Sequence, residues 1–245
     1  MRAAPQMPYA PTQLPRRAVT RVCPDPKSVR AAPRRALLAG AAMVVGALLV
    51  AALHVLPASR GLDPLTEPLS QYAFASNGWL FDAAILSWAL GLIVLVTALA
   101  GRRRDPGRVL AAGLLGTAAL GLVGVVVFPD HDPAGAVGTA GRIHWVATML
   151  AFGCVICAPA LLGRHAGPSC SRLTSTARRL AAGTGPYFLF LLAGSPLRYE
   201  TSLPVPAWWF GLGERTLVAL ELAIAAVVTA WVRHGCYCEP FARST

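Results

Sequence analysis

WLFDAAILSWALGLIVLVTALA, residues 79–100, is followed by GRRRDPGR (101–108) and then by VLAAGLLGTAALGLVGVVVF (109–128). An α-helix rises about 1.5 Å per residue, so about 20 apolar residues cover a hydrocarbon core about 30 Å thick. Each of the two long runs is sufficient, and Asp82 is their only charged residue. The basic loop between them is short, which predicts two antiparallel neighbouring spans. Four more apolar runs lie at 36–56, 143–163, 180–195 and 212–232. The run at 180–195 is the shortest and carries Pro186. Backbone groups in lipid must be satisfied within the segment, so each run is read as a helix. The expected fold is an all-α, polytopic transmembrane bundle of six spans. It comprises a disordered basic tail (1–35), a membrane domain (36–233) and a short second tail (234–245).

Composition agrees with this reading. Hydrophobic residues make up 55% of the 245 and charged residues 13%. Soluble domains average about 25% charged. Mean hydropathy is +0.54. The net charge of +11 would suggest nucleic acid in a soluble protein, but its distribution argues otherwise. Of the 22 Lys+Arg, 18 fall before the first span, between spans two and three, between four and five, or after six. Only Arg60, Arg142, Arg198 and Arg215 fall on the opposite side. By the positive-inside rule both termini are cytoplasmic. The expected partner is the lipid bilayer, with no nucleic acid. One lysine stands against 21 arginines in an Ala- and Gly-rich chain, which suggests a GC-rich bacterial genome and hence a plasma-membrane protein.

This topology places Cys23, Cys170, Cys236 and Cys238 on the reducing side and Cys154 and Cys157 within span four, so no disulfide framework is expected. Cys154-x-x-Cys157 lacks the strand of a redox motif and is read as packing. In span three, Gly113, Thr117 and Gly121 recur every four residues, with Gly116 and Gly124 beside them. Small residues let helices approach closely in lipid, which predicts a central position for this span. Trp208, Trp209 and Phe210 read as an interfacial aromatic belt.

Fixing the topology brings many polar residues to one depth, at the outer face. His54 ends span one, and Ser70, Gln71 and Tyr72 lie in the first outer loop. Asp82 begins span two, and Asp130, His131 and Asp132 end span three. Arg142 and His144 begin span four, and Glu214 and Arg215 begin span six. Asp130, His131, Asp132 and His144 are metal-ligand types, but they lack helical i,i+4 spacing and no H-E-x-x-H motif exists, so no metal or other cofactor is expected. Ser70, His144 and an aspartate are the residue types of a nucleophile–base–orienter set, without a G-x-S-x-G elbow. Glu221, seven residues after Glu214, sits on the same helix face and deeper in the membrane. Such a carboxyl must be paired, protonated or facing a polar cavity; Ser87, Thr117 and Thr148 are candidate partners on neighbouring helices.

LSQYA (69–73), FPDHD (128–132), GRIH (141–144) and GLGER (211–215), set on six helices, resemble the bacterial membrane-protein family called Domain of Unknown Function 998. The resemblance covers about residues 36–233. It implies a fold and a membrane location, and it marks Ser70, Tyr72, Asp130, His144, Glu214 and Arg215 as motif positions. Together with Glu221 these are the candidate pocket residues. The leading expectation is a non-enzymatic protein binding or moving a small polar or lipid-like ligand at the outer leaflet. The alternatives are a membrane-embedded hydrolase, with or without a metal ion, using Asp130, His144 and Ser70, and a structural or partner-binding protein.

Overall fold

The computed structural model describes residues 20–21, 26–100, 106–130, 138–162, 170–200, 206, 208–234, 236 and 240–241, with the backbone alone described in 20–21, 26–30, 194–200 and 240–241. Six long helices carry the fold: α1 (Pro26–Val55), α2 (Trp79–Ala100), α3 (Pro106–Val127), α4 (Thr139–Leu161), α5 (Ser171–Glu200) and α6 (Trp208–Arg233). Two short 3-10 helices, Pro57–Ser59 and Leu69–Phe74, occupy the connection between α1 and α2. Beyond the bundle, the strand Thr20–Arg21 pairs antiparallel with Pro240–Phe241, joining the two tails. His131 and Asp132, two of the residues weighed as metal ligands, lie outside the described residues.

Among the described residues, five helices are long and apolar enough to cross a membrane: α1 from Ala31, α2, α3, α4 and α6. Helix α5 is as long as α1 at 30 residues, but Arg172, Arg178 and Arg179 lie in its first turns. The fold is thus an all-α bundle of six long helices, five of which are long and apolar enough to cross a membrane. Large apolar side chains such as Leu48, Leu90 and Leu120 point outward, as expected where lipid replaces water as the solvent.

Two expectations about the helices are corrected. Residues 26–35 are not a disordered tail, because α1 reaches back to Pro26. Pro26 at the first position needs no N–H partner. Ala32 and Ala36 are buried, and Arg35 Nη1 donates to Thr97 O at 2.9 Å, satisfying a carbonyl in the last turn of α2. Helix α3 is not central. It packs on its sequence neighbours α2 and α4, whereas α6 touches α1, α2, α4 and α5. Consecutive helices contact one another around the bundle and α6 closes back onto α1. The glycines of α3 serve one interface: a Cβ on Gly121 would lie 2.6 Å from Ala147 O and 2.8 Å from Ala151 N, both on α4.

A third correction concerns the cysteines. Cys170, just ahead of α5, is disulfide-bonded to Cys236, just after α6, with Cα atoms 5.4 Å apart. Antiparallel packing of α5 on α6 brings the start of one to the end of the other. Cys154 and Cys157 are free thiols.

Candidate functional site

The connection between α1 and α2 folds inward over one end of the bundle. Ser59 and Asn77 hydrogen-bond at 3.0 Å near its two ends, and both are buried. Leu212 N donates to Leu65 O at 3.1 Å. Gly211 makes this docking possible, because a Cβ there would collide with the Leu65 carbonyl. LSQY is consequently buried, with Tyr72 at 0% exposure.

The motif residues separate into two clusters. The first is a latch around Arg215. Its Nε donates to His54 Nε2 at 2.8 Å, and its Nη1 donates to Glu67 O at 2.7 Å and Gly211 O at 2.9 Å. His54 Nδ1 donates to Val50 O at 2.7 Å, which leaves Nε2 free to accept. The Arg215 guanidinium lies 5.6 Å from the Tyr72 ring centre, and the His54 and Tyr72 rings are 5.3 Å apart. Arg215 thus joins α1, the first connection and α6.

The second cluster surrounds a cavity of about 70 Å³ between α1, α2, α3, α4 and α6. Ser70, His144 and Glu214 line its upper end. Glu214 Oε2 accepts the Leu69 N–H at 2.7 Å, capping the 3-10 helix from across the bundle. Ser70 Oγ donates to Asp130 Oδ2 at 3.3 Å. His144 Nδ1 donates to Phe128 O at 2.8 Å, tying the start of α4 to the end of α3 and leaving Nε2 as an acceptor. Asp130 is therefore behind Ser70 rather than on the cavity wall. Ser70 and His144 share the cavity but direct their hydrogens to different partners, so they do not form the nucleophile–base pair of an acyl-transfer site.

Below this rim the wall is apolar, with Phe81, Ile85, Trp88 and Leu92 from α2 and Phe152 and Val155 from α4. Glu221 interrupts it. The residue is 9% exposed and lines the cavity, and its Oε1 is buried with no hydrogen-bond partner. The hydroxyls proposed for it are engaged within their own helices: Ser87 donates to Ala83 O at 2.7 Å and Thr148 to His144 O at 2.9 Å. Thr117 lies along a different groove, between α2 and α3. Among the described residues, no group of three or more His, Cys, Asp or Glu is arranged to hold a metal ion.

His54 in the latch and the aromatic wall of Phe81, Trp88 and Phe152 were not among the sequence candidates. His54 had been noticed only for its depth. The aromatics carry no distinguishing signal, because an apolar residue in a span reads as packing.

A family model described as "Protein of unknown function (DUF998)" matches residues 38–231. No curated protein and no solved structure gives a significant match.

Proposed function

Because the chain belongs to the DUF998 family, whose description assigns no activity, we propose its function from its own geometry: a membrane protein that binds, and passes on, a small lipid-like ligand at one leaflet. The observation that carries this reading is the apolar cavity beneath Ser70, His144 and Glu214, with the unpartnered Glu221 in its wall. A rim of hydrogen-bonding groups over an apolar interior suits a ligand with one polar end. Binding is favoured over hydrolysis because the Ser70 hydroxyl is directed to Asp130 while His144 is committed to Phe128 O.

The arginine distribution supports a plasma-membrane orientation with both termini cytoplasmic, which sets the rim in the outer leaflet. Reporter fusions after Arg104 and after Asp132 are expected to report opposite sides; two cytoplasmic signals would overturn this topology. Ligand binding is tested by purifying the protein in native-lipid nanodiscs and analysing bound small molecules by mass spectrometry. The wild type is expected to retain a ligand that Val218→Trp, placed in the cavity wall between Glu214 and Glu221, loses while remaining folded. Equal retention by both proteins would sink the proposal.

A further inference from the structure

We infer that the cavity selects a compact apolar amine, with the ammonium group held by Glu221; this rests on the binding reading above and names its ligand class. Three observations converge. First, Glu221 Oε1 is a buried acceptor with no partner, on a side chain 9% exposed that lines the cavity. A buried polar atom left unsatisfied costs on the order of 1–3 kcal/mol, so a donor supplied by a ligand removes a penalty that the empty cavity retains.

Second, the polar atoms available to a ligand are acceptors. Glu214 and Glu221 contribute carboxyls and His144 contributes Nε2, while the Ser70 and Thr148 hydroxyls already donate elsewhere. Among the described residues, no lysine or arginine lines the cavity. The nearest motif cation, Arg215, stands outside that lining; its Nε and Nη1 donate to His54, Glu67 O and Gly211 O, and its Nη2 is buried without a partner. A carboxylate or phosphate ligand would find no cationic side chain in this lining, whereas an ammonium finds carboxyl groups at two levels. Glu214 and Glu221 are about 10 Å apart along α6 at about 1.5 Å per residue.

Third, Phe81, Trp88 and Phe152 belong to the same wall. Aromatic faces attract cations, more strongly away from water. The volume of about 70 Å³ admits a small alkylamine and excludes both a phenylalkyl group and a two-chain lipid.

The test uses the full chain in nanodiscs and equilibrium dialysis of two labelled probes small enough for the cavity, ethylamine and ethanol, with empty nanodiscs subtracted. Wild type is expected to hold the amine about tenfold more tightly than the alcohol, a difference of about 1.4 kcal/mol. Glu221→Gln keeps the shape and removes the charge. It is expected to bring the amine to within about twofold of the alcohol. Val218→Trp is expected to lose both probes. Equal binding of the two probes by wild type, with both lost in Val218→Trp, overturns the amine assignment and leaves the cavity reading standing. A preference for the amine that survives Glu221→Gln overturns the role of Glu221. No binding above empty nanodiscs, or unchanged binding in Val218→Trp, overturns the cavity reading and the amine with it. Matching thermal unfolding of the variants and wild type establishes that each is folded.

Discussion

Arg215 shows how much one side chain's direction matters. Glu214 and Arg215 are adjacent in sequence and share a depth, yet neighbouring positions on a helix point about 100° apart. Glu214 therefore reaches the cavity and Leu69 N, while Arg215 reaches His54 and Glu67 O. The sequence revealed their depth because the apolar runs set the membrane frame. It could not reveal which helix each faced, and so which of them turns toward the cavity. The latch uses two edges of the planar guanidinium at fixed angles. A lysine offers a single ammonium on a flexible stem and cannot reproduce that fork. Arg215→Lys is expected to lower stability by about 1–3 kcal/mol. Thermal unfolding of the purified variant measures this directly, and an unchanged midpoint would mean that the latch contributes little.

At the level of elements, the glycine pattern of α3 was visible, but the partner of each glycine was not. Gly113 and Gly121 are two turns apart on one face and look equivalent in the sequence. In the fold, Gly121 lies against the α4 backbone near Ala147 and Ala151, whereas a Cβ on Gly113 would meet nothing within 4 Å. The two positions should respond oppositely. Gly121→Val must push α4 away and is expected to cost about 1–3 kcal/mol, the range for overpacking. Gly113→Ala adds a methyl in open space and removes the flexibility of glycine from a helix interior. It is expected to be neutral or to stabilise by up to about 1 kcal/mol. Unfolding midpoints of the two variants in the same detergent provide the comparison, and a similar loss in both would mean that the α3–α4 contact is looser than described. The start of α1 failed to announce itself for a related reason. Its proline- and arginine-rich composition reads as disorder, but the helix is extended by what it packs on, including the Arg35 contact with the last turn of α2.

For the whole molecule, the decisive feature is that the ring of helices closes, with α6 meeting both α5 and α1. Closure places the cavity between α2, α4 and α6, and it also brings Cys170 to Cys236 across 66 residues of chain. The compartment argument treated these cysteines one at a time, by side of the membrane. Their pairing depends on a helix–helix contact that no local pattern contains. A cross-link closing a loop of this length restricts the unfolded chain and is expected to contribute about 2–4 kcal/mol. Reductant should therefore lower the unfolding midpoint of the wild type. Cys236→Ser should start at that lower midpoint and show no further response to reductant. A free-thiol count before and after reduction identifies the bond itself, since the wild type should gain two thiols at this pair and the variant none. If Cys236→Ser unfolded at the wild-type midpoint, α5 and α6 would be held together by packing alone. That packing includes the Tyr187 phenol, which donates to Gly213 O at 3.1 Å, and Tyr187→Phe would become the variant that loosens the α5–α6 contact.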